Sequence, residues 1–119
     1  MIRVMLVDDQ TLVRQGVRSL LALSDDIEVI GEASDGASAI EQVPTLHPDV
    51  LLLDLRMPEV NGIEVLSSLS GQDQLPPTLI LTTFDDDELV LAGIRAGAKG
   101  YLLKDVALEV LLDAVRTLA

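Results

Sequence analysis

A chain of 119 residues is long enough for one domain with its own core and too short for two of ordinary size. Its 49% hydrophobic and 24% charged residues suit a soluble globular protein, and no apolar run approaches the roughly 20 residues needed to cross a bilayer. The formal charge of -12, from 20 acidic and 8 basic residues, opposes binding to nucleic acid, and the lack of cysteine excludes disulfides, thiolate metal sites and a catalytic thiol.

The first apolar run, Ile2 to Val7, predicts a strand over residues 2–7, and its single basic residue and lack of a small-residue cleavage signal make it unlike a secretory leader. The chain is therefore expected in the cytoplasm. Asp8 and Asp9 end the run, and Thr11 is placed to cap a helix over 11–23. A second strand over 27–33 ends in Ala33-Ser34, and Asp35-Gly36 turns into a helix over 36–46 that Pro48 stops. The third strand, 49–54, is the run Asp49-Val50-Leu51-Leu52-Leu53-Asp54, followed by a loop with Pro58 and by Asn61-Gly62 opening a helix over 61–70.

Pro76-Pro77 precede a fourth strand over 78–83, where neither proline removes a ladder donor. Asp85-Asp86-Asp87-Glu88 then place four acids at the start of a helix over 86–96, where the positive end of its dipole favours them, and Gly97 is placed to end it. Gly93 inside this helix marks either a weakly held element or a packing requirement for a small residue. A short fifth strand over 100–103 ends at Lys104, and a last helix over 106–118 is apolar around most of its circumference. That helix is either unusually buried or bears a partner surface. Five short apolar runs alternating with helical segments are the pattern of βαβ units around a parallel sheet.

Ligands of open α/β sheets sit beyond the carboxyl ends of the strands. Four of the five ends bear functional groups: Asp8-Asp9, Asp54, Thr82-Thr83 and Lys104. Each has a plainer reading. Asp8-Asp9 can be a capping pair, the threonines ordinary strand residues, and Lys104-Asp105 a surface ion pair. Asp54 is harder to dismiss, because an acid at the edge of the core is costly to desolvate unless it is paired or bound. Three converging carboxylates need Lys104 or a divalent cation to offset their repulsion. All-oxygen ligation suits Mg²⁺, which completes its octahedron with phosphate oxygens, so the set points to phosphoryl transfer with a carboxylate as nucleophile.

No phosphate-binding glycine loop or dinucleotide fingerprint is present, and Arg56 stands where the Asp-x-Asp pattern of haloacid-dehalogenase-like phosphatases would need its second acid. His47, the single histidine, lies far from any strand end.

These residues resemble the receiver domain of two-component response regulators over essentially the whole chain. The matching segments are Val7-Asp8-Asp9, Pro48 to Pro58, Asn61-Gly62, Leu81-Thr82-Thr83 and Gly97 to Lys104; Thr83 to Asp87 and Lys104-Asp105 look most like the NarL/FixJ branch. The resemblance implies a flavodoxin-like (CheY-like), doubly wound (βα)5 three-layer sandwich with a parallel sheet in the order 2-1-3-4-5. It implies Asp54 as phosphoacceptor from a sensor histidine kinase, and Mg²⁺ held by Asp8, Asp9, Asp54 and the backbone carbonyl of Arg56. Lys104 would bridge to the phosphoryl group, Thr82 would move to hydrogen-bond it, and Tyr101 would turn inward as the aromatic switch. Arg56 and Phe84 would tune the rate of dephosphorylation.

The whole of 1–119 would be the receiver, homodimerising on phosphorylation, with a LuxR-type helix-turn-helix output domain for transcription absent from this chain. The family often has proline after its lysine with a cis bond; Asp105 predicts a trans bond instead. Two other readings stand beside the switch: a Mg²⁺-dependent phosphatase of small substrates, and a stand-alone or phosphorylation-independent interaction module.

Overall fold

A computed structural model describes residues 1–83 and 86–119. Five strands alternate with five helices: β1 (Ile2–Val7), α1 (Thr11–Leu21), β2 (Ile27–Ala33), α2 (Gly36–Leu46), β3 (Val50–Leu53), α3 (Gly62–Gly71), β4 (Thr78–Thr82), α4 (Asp87–Arg95), β5 (Gly100–Leu103) and α5 (Leu108–Leu118). The strands form one parallel sheet in the order β2-β1-β3-β4-β5, so the parallel sheet expected from the alternation is present, in the flavodoxin-like order that the resemblance implies. No cis peptide bond occurs among the described residues.

The central strands are apolar on both faces because helices cover both. Met5, Val7, Leu51, Leu53 and Ile80 pack with Ala39 and Val43 of α2 and Val65, Leu66 and Leu69 of α3. The alternate residues Val4, Leu6, Val50, Leu52, Leu79 and Leu81 pack with Leu21 of α1 and with Leu111 and Val115 of α5. The period-two pleat thus divides one sheet between two apolar layers.

The predicted punctuation is largely present. Asp35 caps α2 by accepting a bond from Ser38 N at 2.7 Å, and Asn61 and Glu64 form a capping box at the start of α3. Gly97 follows α4 with φ of 125°, a left-handed conformation for which glycine is suited. The expectation for Thr11 is corrected: it is the first residue of α1, and Gln10 at the N-cap makes no side-chain cap. Asp8 has already turned the chain there, its Oδ1 accepting Gln10 N at 2.8 Å.

The apolar surplus of α5 is mostly absorbed. Leu111 and Val115 are buried, Leu112, Ala114 and Leu118 pack against the same layer, and Val110 is left 46% exposed. Arg116 ties the end of this helix to the α1–β2 turn through Asp26, with Nε to Oδ2 at 2.8 Å. The bond from Arg116 holds the Asp26 carboxyl below its usual range.

Close approach explains three glycines. A Cβ on Gly36 would lie 2.2 Å from Val60 O, one on Gly62 2.7 Å from Asp54 O, and one on Gly93 2.6 Å from Ile80 Cδ1. The Gly93 contact favours the packing reading of that residue, and Gly62 lets α3 start directly against the backbone of Asp54. Gly36→Ala is expected to destabilise by about 1–3 kcal/mol through overpacking. Gly16→Ala, where the added Cβ meets nothing within 4 Å, should stabilise α1 by about 0.5–1 kcal/mol. Urea unfolding of the two variants checks the opposite signs.

Candidate functional site

Backbone bonds between neighbouring strand ends bring the polar residues to one edge. Asp8 N donates to Ala33 O at 3.2 Å, Asp54 N to Val7 O at 2.9 Å, and Lys104 N to Thr82 O at 2.8 Å. Each functional residue is therefore held by the last residue of the adjacent strand. Sheet register, more than any side-chain contact, sets their separation.

The side chains converge as the strand-end reading expects. Asp8, Asp9 and Asp54 each offer a carboxylate oxygen, and these atoms lie within 4.8 Å of one another. Asp8 and Asp54 are buried and Asp9 is exposed, so the cluster opens to solvent on one side. Lys104 Nζ lies 3.2 Å from Asp8 Oδ2 and 3.4 Å from Asp54 Oδ1, and 3.5 Å from Gln10 Oε1. Arg56 N donates to Asp54 Oδ1 at 3.4 Å, a long bond from the loop that follows β3.

Burial pushes the Asp54 carboxyl up to about 6, with the neighbouring Asp8 charge adding to the shift and Lys104 opposing it. The lysine therefore only partly compensates the cluster. Three hard oxygen donors, two of them buried and all close together, fit a small divalent cation such as Mg²⁺.

Thr82 is buried at the end of β4, and its Oγ1 lies 3.1 Å from Asp86 Oδ2. Tyr101 is 55% exposed on β5. Phe84 lies outside the described residues.

The sequence reading missed the role of Asp86, which it placed among four acids favoured by the positive end of the α4 dipole. Asp86 is only 5% exposed. Its Oδ2 accepts Thr82 Oγ1 and Thr83 Oγ1, each at 3.1 Å, and its Oδ1 accepts Arg56 Nε at 2.5 Å with a further contact from Arg56 Nη2. The Arg56 guanidinium holds this carboxyl below its usual range. Nothing in the run Asp85-Asp86-Asp87-Glu88 distinguishes the second acid, since its partners are 3, 4 and 30 positions away. Arg14 was also missed: its Nη1 donates to Asp8 O at 2.7 Å, and its Nε pairs with Glu32 at 3.3 Å.

The model of the response regulator receiver domain matches residues 4–116. The transcriptional regulatory protein YxjL of Bacillus subtilis (strain 168) is 49% identical over 118 residues, which cover 99% of this chain and 54% of that protein. The nitrate/nitrite response regulator protein NarP of Escherichia coli (strain K12) is 49% identical over 114 residues, covering 96% and 53% of the two. Among solved structures, the signal receiver domain of the putative response regulator NarL from Mycobacterium tuberculosis superposes with a TM-score of 0.86 at 36% identity, covering 97% of this chain and 96% of that one. The chain spans about half the length of the curated relatives it matches.

The raised value at Asp54 sets a pH dependence of stability in chelated buffer. An unfolded aspartate releases its proton near 3.8, whereas the folded one keeps it to about 6. Between those values the native state binds more protons, so stability falls as pH rises across the window. Asp54→Asn should remove this penalty, stabilising by about 1–2 kcal/mol above roughly pH 7 after allowance for solvent screening. The gain should vanish toward pH 4, as measured by urea unfolding across that range.

Proposed function

The chain belongs to the response regulator receiver domain family, and on that premise we propose that it is a phosphoacceptor switch in which Asp54 takes a phosphoryl group from a histidine kinase. An oxygen of Asp54 forms a new O–P bond as the P–N bond to the donor imidazole breaks, and the electron pair of that bond stays with the imidazole nitrogen. The observation that supports this reading best is Asp54 itself: buried at the rim, beside Asp8, and within 3.4 Å of Lys104.

Asp8, Asp9, Asp54 and the backbone carbonyl of Arg56 would hold Mg²⁺. When bound, the ion neutralises charge on the transferring phosphoryl oxygens. Lys104, already between Asp8 and Asp54, can leave one carboxylate for a phosphoryl oxygen with little movement. Thr82 supplies a hydroxyl from the adjacent strand end. Arg56 borders the approach to Asp54, and with Phe84 it would govern how readily water attacks the acyl phosphate. These residues perform one transfer and then the hydrolysis of the acyl phosphate, which passes the phosphoryl group to water and restores Asp54, so the domain is a switch and not an enzyme acting on a separate substrate.

Phosphorylation adds charge and acceptor oxygens at Asp54, and Thr82 and Lys104 follow them. Tyr101, now exposed, would turn inward toward space vacated beside Thr82. Exposed apolar side chains on α1 and just after it (Leu12, Leu23) and around α4 and β5 (Leu91, Ile94, Tyr101) provide surfaces for self-association. The output would be transcription through a LuxR-type DNA-binding domain joined to this receiver in the cytoplasm. Among the described residues no helix is long and apolar enough to cross a membrane.

Incubation with Mg²⁺ and acetyl phosphate, followed by intact mass, should show addition of one phosphoryl group that Asp54→Asn abolishes. No addition, or addition that persists in the variant, would refute the reading. Asp9→Ala should weaken Mg²⁺ binding by more than the roughly tenfold typical of outer-shell substitutions. Titration calorimetry measures this, and an unchanged affinity would remove Asp9 from the metal site.

A further inference from the structure

Asp86 is the N-cap residue of α4, yet its side chain caps nothing. An aspartate at that position ordinarily accepts an amide from the first turn. This one instead points back to Thr82, Thr83 and Arg56, which belong to the end of β4, the loop beyond it and the loop after β3. A single buried carboxylate therefore joins three segments around the phosphoacceptor site.

A threonine hydroxyl has one proton to donate. Thr82 Oγ1 now lies within donor range of Asp86 Oδ2 at 3.1 Å and of Thr83 O at 3.3 Å. Of these acceptors the charged carboxylate makes the stronger bond. To donate to a phosphoryl oxygen on Asp54, Thr82 must give up Asp86.

Building on the phosphoacceptor reading of Asp54, we propose that Asp86 is a positioning residue that withholds the Thr82 hydroxyl in the resting state and so sets how readily the switch closes. Arg56 fixes the carboxylate that holds Thr82, which links the loop beside the metal ligands to the start of α4. Once Thr82 leaves, Asp86 keeps Thr83 and Arg56 and regains the freedom to accept first-turn amides of α4. Departure of one hydroxyl then becomes a change at the helix end.

The test is binding of beryllofluoride, a stable mimic of the phosphoryl group, to the Mg²⁺-loaded protein by titration calorimetry. Removing a competing charged acceptor should tighten binding, so Asp86→Ala is expected to raise affinity roughly tenfold. Asp86→Asn keeps the size and one acceptor oxygen but not the charge. It should tighten binding by a smaller factor, and it tests the proposal even if the alanine variant does not fold.

The effect must pass through Thr82. In a Thr82→Val background, Asp86→Ala should change affinity by less than about twofold, the signature of a coupled pair. No tightening in either Asp86 variant, or equal tightening with and without the Thr82 hydroxyl, would overturn the proposal and leave Asp86 a purely structural residue. Failure of the unaltered protein to bind beryllofluoride at all would instead overturn the phosphoacceptor reading, and this proposal with it.

Discussion

Repulsion among carboxylates held at the end of a buried parallel sheet is the constraint around which the rest of the domain is organised. Asp54 follows a strand whose four residues are all buried, and its amide is tied to the last carbonyl of β1. The chain cannot retract this carboxylate without breaking the register of the central strands. It is therefore kept where its ionised form is disfavoured, with Asp8 making matters worse and Lys104 only partly relieving them. A site in that condition gains from any added positive charge, and it is sensitive to any group attached at Asp54. The sheet supplies the rigidity, and the imbalance of charge supplies the response.

Around this rim the packing keeps the backbone close. Gly62 admits the start of α3 against the Asp54 carbonyl, and Gly36 does the same for α2 against Val60. On the far side, Arg14 braces the carbonyl of Asp8. The acidic edge is thus supported largely from the backbone, and its carboxylates meet few side-chain donors, chiefly Lys104. Asp86 differs in degree, a buried acid that accepts from three side chains, Thr82, Thr83 and Arg56.

Much of this was readable from the chain. The alternation of four- to seven-residue apolar runs with helical segments reflects burial on both sheet faces, and strand ends could be located because each run stops at a polar group. Asp8, Asp54 and Lys104 were legible for that reason. Asp86 was not, because its burial is decided by Arg56 and Thr82, which reach it from other elements across the top of the sheet. Thr11 misled for a related reason: a good capping residue stood next to a position where Asp8 had already made the turn. The apolar surplus of α5 allowed two readings, and only packing against the sheet could separate them.

The division of the core into two layers has a consequence for how such a domain diversifies. The layer under α1 and α5 shares the sheet with the layer under α2 and α3, but their side chains lie on opposite faces of the same strands. Substitutions in separate layers have few shared contacts, so their energetic effects should be close to additive. The α1 and α5 side can then be repacked while the strand register, and with it the spacing of Asp8, Asp54 and Lys104, stays fixed. A change in one layer is insulated from the other by the thickness of a single sheet.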